Sequence, residues 1–196
     1  RDSLLAALAS VLTTQAFAAE KLTVAATPVP HAEILELIKP KLAEQGVDLE
    51  IKVFTDYVQP NLQVAQKQLD ANYFQTKPYL DSFNESRGTE LVIVKGVHVE
   101  PFGGYSSKYK SLKELPDGAT IAIPSEGSNS GRALLLLQHA SLLTLKDPSN
   151  AQATPKDLAT NPHNFKFKQL EAAMLPRVLN CLLYTSDAAD DSLRVD

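Results

Sequence analysis

Apolar positions in the first part of the chain follow two periods, which together predict a β-α-β unit. Lys21–Ala26 is a short apolar run typical of a strand, and Leu49–Phe54 alternates as LEIKVF, which predicts a second strand. Between them, His31–Glu44 carries apolar residues at helical spacing. Pro40 should kink this helix or split off its last turn, because proline lacks the backbone donor that a helix interior uses. Two strands joined by a helix predict a parallel first sheet.

The middle of the chain predicts one more core strand and a crossover into a second lobe. Leu91–His98, LVIVKGVH, is apolar over enough residues to form a buried strand. Pro101–Tyr105, PFGGY, carries two glycines and predicts a change of direction at which the chain crosses between lobes. The same patterns predict helices at Asn61–Leu69 and Pro78–Arg87 and the beginning of a helix at Ala172–Leu179. They predict an extended segment at Ala71–Phe74 and a strand at Phe165–Leu170.

A strand–loop–helix unit follows in the second half of the chain. Ile121–Ile123 predicts a buried strand, Pro124–Gly131 a loop, and the leucine-rich residues from Arg132 a helix. Asn129 or Ser130 is expected to cap this helix by accepting a backbone N–H bond. A cation in a first helical turn is unfavourable unless an anion binds there, so Arg132 predicts a carboxylate clamp. A surface arginine that faces water is the alternative.

Three predicted loops leave the carboxyl ends of strands, where ligands of open α/β sheets bind. The first loop carries Tyr57, the second carries Tyr73 and Phe74, and the third carries Asn129 and Arg132. This layout predicts a cleft between lobes, in which an aromatic wall faces an anion clamp. Such a cleft suits a small zwitterion with an apolar side chain. Core packing, the commoner fate of tyrosine and phenylalanine, is the alternative for each aromatic residue.

Composition narrows the classes of function. The chain has 196 residues, 44% hydrophobic and 21% charged, which is enough for one domain or two small lobes. Its net charge is −4 without a basic stripe, so we expect no nucleic-acid partner. Cys181 is the single cysteine, and the four histidines show no metal-ligand spacing, so no metal site is expected. No catalytic triad, phosphate loop or cofactor motif is visible, so neither enzymatic activity nor a cofactor is expected.

The N-terminal segment has the features of a bacterial secretory signal that lacks its first residues. Leu4–Phe17 is apolar but too short to span a bilayer easily, and Ala16–Ala18 fits an A-x-A cleavage site. We therefore expect residues 1–18 to be a partial signal peptide; a buried helix is the alternative. Because no cysteine lies near the cleavage point, we expect no lipidation site in this chain. The mature protein is expected to be exported to the periplasm.

Five motifs stand between about Lys21 and Leu179: FTDYVQPN, DANYFQTKPYL, HVEPFGGYS, IAIPSEGSNSGRALLLLQ and LEAAMLPRVL. In type and order they resemble the motifs of the NlpA-type lipoprotein family, the methionine-binding components of methionine ABC importers. This resemblance implies an α/β fold of the two-lobed, type II periplasmic-binding-protein kind, closing over one amino acid. It also implies delivery of methionine, or a closely related amino acid, to an ABC permease and its ATPase by a monomeric protein associated with the membrane through the transporter. A ligand-binding sensor or adhesin on the same fold is the alternative.

The resemblance also assigns roles to individual residues. It implies that Arg132 binds the ligand carboxylate and that Asn129 helps to hold the backbone groups of the ligand. It implies that the side chain of the ligand is enclosed by Tyr57, Tyr73 and Phe74, with Phe74 on the thioether. Methionine binders of this type often have histidine where this chain has Thr76, which keeps a hydroxyl but loses ring area. Glu126 is either a contact to the ammonium group or a solvated loop charge, and we favour the latter.

The C-terminal segment departs from the family pattern after Leu179. Cys181–Asp190, CLLYTSDAAD, resembles a translated sequencing adapter, so residues 181–196 are expected to be a non-native tail and the fold to be incomplete at its C-terminus. The alternative is a divergent native C-terminus. We expect lobe 1 to cover residues 19–104 and lobe 2 residues 105–180. Apolar faces and sheet edges are expected to stay open in such a fragment.

Overall fold

A computed structural model of the chain describes residues 19–178 and, for the backbone alone, residues 183–187. The predicted signal segment 1–18 and Cys181 lie outside the described residues. Within the part that is described, every helix is too short or too polar to cross a lipid bilayer.

A three-stranded parallel sheet forms the first lobe, as the β-α-β pattern predicts. Its strands are β1 (Glu20–Ala26), β2 (Val47–Val53) and β3 (Ala71–Tyr73), in the order β2-β1-β3. The helices of this lobe are α1 (Glu33–Glu44), α2 (Gln59–Ala65) and α3 (Lys77–Arg87). Val24, Leu35 and Leu49 are buried between β1, β2 and α1. These residues belong to the apolar faces that the strand and helix periodicities predict. The prediction that Pro40 splits α1 is wrong, because the helix continues through it to Glu44.

The second lobe is built on a mixed four-stranded sheet. Its strands are β4 (Phe102–Tyr105), β5 (Thr120–Pro124), β8 (Lys166–Leu170) and β9 (Leu183–Asp187), in the order β4-β9-β5-β8, and a separate hairpin is formed by β6 (Thr144–Leu145) and β7 (Leu158–Thr160). Helix α4 (Gly127–His139) packs on this sheet. Ile121 and Ile123 of β5 and Leu134 and Leu137 of α4 have no exposed surface, so they form the centre of the second core.

Helix α4 begins earlier than the sequence predicts. Its first residue is Gly127, so the prediction that Pro124–Gly131 is a loop is wrong, and Asn129 and Ser130 lie inside the helix rather than capping it. The first turns of α4 lie close to the segment that contains Ala151, and the small residues at the start of the helix leave room for it. A Cβ atom on Gly131 would lie 2.0 Å from the backbone oxygen of Ala151, so only glycine fits there.

The apolar run Leu91–His98 is not a core strand, which corrects the prediction. It pairs with no strand of the described chain, and its valines face outward, with Val94 91% exposed and Val99, just beyond, 93% exposed. An apolar run becomes a strand only where a neighbouring strand supplies hydrogen-bonding partners. Here the described sheet of the first lobe ends at β3.

The described part of the tail joins the second sheet. The backbone of β9 lies between β4 and β5, antiparallel to β4 and parallel to β5. The segment therefore occupies a paired position inside the sheet. That residues 181–196 are non-native stays a prediction.

Candidate functional site

A small pocket lies where the two lobes meet. It is lined by Tyr57, Phe74, Gln75, Thr76, Tyr79, Glu100 and Asn129. The first five belong to the first lobe, Glu100 lies on the connecting segment, and Asn129 belongs to α4 of the second lobe. The structure therefore brings together four of the six predicted site residues: Tyr57, Phe74, Thr76 and Asn129.

Three aromatic rings form one wall of the pocket. The ring centroids of Tyr57 and Phe74 are 5.8 Å apart, and Tyr79 lies 6.0 Å from Tyr57 and 5.9 Å from Phe74. The hydroxyl of Tyr79 donates to the backbone oxygen of Tyr57 at 2.8 Å, and burial raises the pKa of Tyr79, so this phenol stays protonated. Phe74 is only 7% exposed and also packs into a core cluster with Phe83. Phe74 thus lines the pocket and is part of the core at once.

Thr76 has a structural role that its position in the sequence explains. It is the N-cap of α3, and its side-chain oxygen accepts a hydrogen bond from the backbone N–H of Tyr79 at 3.4 Å. Threonine is a favoured residue at this position because its oxygen pairs an otherwise unsatisfied helix donor. The hydroxyl therefore lines the pocket and holds the start of the helix that carries Tyr79.

A network of three amide side chains fixes the neighbouring Gln75. Asn61, which has no exposed surface, donates to Gln75 Oε1 at 2.8 Å. Gln75 Nε2 in turn donates to Asn61 Oδ1 at 2.7 Å and to Asn72 Oδ1 at 3.0 Å. Buried and fully paired polar networks hold one geometry, so this network positions the Gln75 side chain at the pocket.

Asn129 and Arg132 lie together on α4, but not as the sequence predicts. Arg132 is in the second helical turn, and its Nη1 donates to Asn129 Oδ1 at 3.2 Å. The guanidinium also sits 4.5 Å from the ring centroid of Phe102. Arg132 is not among the residues that line the pocket, but its hydrogen-bond partner Asn129 is.

The first turn of α4 carries two buried hydroxyls that have no partner among the described residues. The opening N–H groups of a helix have no partner within the helix and carry partial positive charge. The side-chain oxygens of Ser128 and Ser130 are fully buried and have no hydrogen-bond partner among the described residues. Unpaired buried hydroxyls are costly, and Asn129, which lies between the two serines, lines the pocket.

Glu126, which precedes α4, is not the solvated loop charge that we favoured. Its Oε1 accepts from the backbone N–H of Ala172 at 3.1 Å, and its buried Oε2 has no partner in the described structure. Burial raises the pKa of this carboxyl, against two backbone hydrogen bonds that lower the pKa.

Tyr73 was predicted to line the pocket but does not. Glu100 lines the pocket, although the sequence analysis did not single it out. The Tyr73 hydroxyl lies 2.6 Å from His98 Nδ1, and its ring packs edge-on against His31, 4.8 Å away. Burial, and then the charge of Glu100, raise the pKa of Tyr73. Burial lowers the pKa of His31, with Glu100 opposing and His98 adding to the effect. The available signal for Glu100 was its place in the motif HVEPFGGYS, which also contains His98.

Comparison with known proteins identifies the family. Residues 22–189 match the sequence model of the NlpA lipoprotein family. The chain belongs to the NlpA lipoprotein family. The last of the sequence motifs ends at Leu179, and the match continues for ten residues beyond it. The match therefore includes most of the segment that is predicted to be a tail.

Relatives and solved structures agree with this assignment. The chain is 46% identical over 153 residues to the methionine-binding lipoprotein MetQ of Bacillus subtilis, covering 77% of this chain and 56% of that protein. It is 47% identical over 135 residues to the D-methionine-binding lipoprotein MetQ of Escherichia coli strain K12, covering 69% and 50% respectively. A nutrient binding protein from Burkholderia cenocepacia, solved bound to methionine, superposes with a TM-score of 0.82 at 38% identity, covering 86% of this chain and 72% of that chain.

These comparisons confirm the predicted two-lobed α/β fold. This chain spans between one half and three fifths of the length of the curated relatives it matches.

Proposed function

We propose that this chain is the ligand-binding component of an ABC importer and binds methionine, or a closely related small amino acid, between its two lobes. The observation that carries the proposal is the pocket at which Tyr57, Phe74 and Thr76 of the first lobe face Asn129 of the second. The names of the relatives support the ligand, since several are described as methionine-binding or D-methionine-binding.

Each wall of the pocket has a role in this proposal. The ligand carboxylate is held by Arg132, Asn129 and the first turn of α4, where buried hydroxyls lack partners. Phe74 and Tyr57 enclose the thioether, because sulfur packs well against aromatic rings. Glu100, which lines the same pocket, faces the ammonium group. Tyr73 does not line the pocket, and its ring packs against His31 and His98.

The energies of these contacts are compatible with micromolar affinity, which corresponds to roughly −8 kcal/mol. A charge-assisted arginine–carboxylate pair contributes about 1.5–3 kcal/mol. Burial of a methionine side chain contributes about 1.5–3 kcal/mol more. The ammonium contact and the closing of the lobes supply the remainder.

The proposal includes the partners and location of the protein. The chain acts as an exported, periplasmic monomer that passes its ligand to a permease driven by an ATPase. It binds without chemical conversion of the ligand.

Isothermal titration of the chain with L-methionine, D-methionine and L-alanine tests the proposal. We expect saturable binding of one methionine per chain and much weaker binding of alanine, which lacks the side chain that the aromatic wall encloses. Urea unfolding of the same preparation, followed with and without ligand, provides the control for folding. A cooperatively folded chain that binds none of the three amino acids would contradict the proposal.

A further inference from the structure

The fold brings two histidines and one glutamate together behind the pocket. His31 Nε2 lies 3.5 Å from Glu100 Oε1, and His98 Nε2 lies 2.8 Å from the same oxygen. Within the described part of the chain, one ligand atom from each of the three residues lies within 4.8 Å of the others. His31 and His98 come from opposite ends of the first lobe in sequence, so only the folded chain creates this group.

The second nitrogen of each imidazole is held by a hydroxyl. Thr27 Oγ1 lies 2.8 Å from His31 Nδ1, and the Tyr73 hydroxyl lies 2.6 Å from His98 Nδ1. A hydroxyl can accept as well as donate, so both rings can carry their proton on Nδ1 and present the Nε2 lone pair to a cation bound beside Glu100. Metal-binding histidines have this arrangement, in which an outer partner on the far nitrogen orients the ring.

Two of the three separations lie near those that a small divalent cation needs, and the third is bounded at 4.8 Å. Metal–nitrogen and metal–oxygen distances of about 2.0–2.2 Å place tetrahedral ligand atoms roughly 3.3–3.6 Å apart. The distance between His31 Nε2 and Glu100 Oε1 already has this value. The distance between His98 Nε2 and Glu100 Oε1 must open by about half an ångström, which a rotation of the partly exposed His98 side chain allows.

Burial gives the group a closed and an open side. The side chains of His31, Glu100 and His98 are 8%, 16% and 29% exposed, so His31 forms the floor and His98 the entrance. Two imidazoles and one carboxylate leave a fourth position of a tetrahedral ion open. Imidazole nitrogen favours zinc, nickel and copper over magnesium and calcium, which prefer oxygen ligands.

We propose that His31, His98 and Glu100 form a binding site for a divalent transition-metal ion, with Zn²⁺ as the reference ion, and that Thr27 and Tyr73 orient the two histidines. The site shares Glu100 with the pocket between the lobes. It stands on the geometry of these five residues and does not depend on which amino acid, if any, the pocket binds.

Calorimetric titration of the untagged, metal-free chain with ZnCl₂ in the absence of amino acids tests the site. We expect one equivalent of Zn²⁺ to bind with a dissociation constant in the micromolar range or tighter. His98→Ala removes one ligand at the exposed side of the site, so it is expected to weaken binding at least tenfold without unfolding the chain. Glu100→Gln keeps the size of the side chain but removes the charge, and the same loss is expected. Co²⁺ in place of Zn²⁺ gives a visible absorption band that reports four-coordination.

Matched variants separate this site from other metal ligands of the chain. His163→Ala removes a histidine that is paired with Asp117 at the surface, and Cys181→Ser removes the single thiol; both are expected to bind Zn²⁺ as the parent chain does. Tyr73→Phe keeps the ring but removes the partner of His98, and it is expected to weaken binding by about ten- to a hundredfold. Absence of Zn²⁺ binding by the folded parent chain, or binding by His98→Ala and Glu100→Gln that is as tight as binding by the parent chain, overturns the proposal.

Discussion

The guanidinium of Arg132 donates a hydrogen bond to the side-chain oxygen of Asn129, with an Nη1–Oδ1 distance of 3.2 Å. The two residues are three positions apart on α4, which places them on one face of the helix. Because Asn129 lines the pocket, this contact connects the cation to the site where a carboxylate is expected.

Replacement of Arg132 tests this connection. Arg132→Ala is expected to weaken methionine binding by about ten- to a hundredfold, which corresponds to the 1.5–3 kcal/mol of a charge-assisted hydrogen bond. Calorimetric titration measures the affinity, and urea unfolding checks the fold. Arg177→Ala is the matched control, since Arg177 contacts only Met174 among the interactions described for it, and its variant should bind as the parent does. Unchanged affinity of Arg132→Ala would remove Arg132 from the site.

Phe74 is expected to select the side chain of the ligand. Phe74→Leu should weaken the binding of methionine more than that of alanine, because leucine loses ring contact with the thioether. Phe83→Leu is the matched control, since Phe83 is 6% exposed in the same core cluster but does not line the pocket. Both variants should lose similar stability in urea, and only Phe74→Leu should change the ratio of the two affinities. An equal change in that ratio for both variants would argue against a direct contact.

Gly131 is expected to be essential for the packing of α4. Gly131→Ala places a Cβ 2.0 Å from the oxygen of Ala151, so the free energy of unfolding should fall by about 1–3 kcal/mol. Gly96→Ala is the control, because nothing lies within 4 Å of its added Cβ and its φ lies outside the positive region that alanine avoids. This variant should change stability by less than about 0.5 kcal/mol. Urea unfolding of the two variants measures the difference. Equal stability would mean that the helix can shift away from Ala151 at no cost.

Glu126 is expected to make stability depend on pH. Burial raises the pKa of its carboxyl above the ordinary value of 4.5, so the folded state holds this proton more tightly than the unfolded state. The contribution of the Glu126 carboxyl to the free energy of unfolding is therefore complete below pH 4.5. It is lost as the pH rises through the pKa that this carboxyl has in the folded state. Glu126→Gln, which cannot ionise, should be more stable than the parent at pH 7, and the difference should shrink toward pH 4.

Urea unfolding at several pH values measures this effect. Glu85→Gln, at an exposed position on α3, serves as the control and should show no such change. A Glu126→Gln variant that is less stable than the parent at pH 7 would mean that the charged form is stabilised by a contact of its own.

Local patterns in the sequence determined the elements whose signals are periodic. The alternation of Leu49–Phe54 and the helical spacing before Glu44 became β2 and α1, because one buried face is enough to define such an element. Motifs identified the family and the two-lobed fold. Four residues that the motifs singled out, Tyr57, Phe74, Thr76 and Asn129, line one pocket, and their binding of a ligand stays a prediction.

Tertiary structure decided everything that depends on a partner distant in sequence. Leu91–His98 is apolar but lacks a neighbouring strand among the described residues, so its valines are exposed. The polar start of α4 is helical, and Gly131 within it packs against the backbone of Ala151, a contact that no local pattern contains. His31, His98 and Glu100 meet only after the sheet has formed, since ligand geometry depends on distances in space and the sequence records only order along the chain.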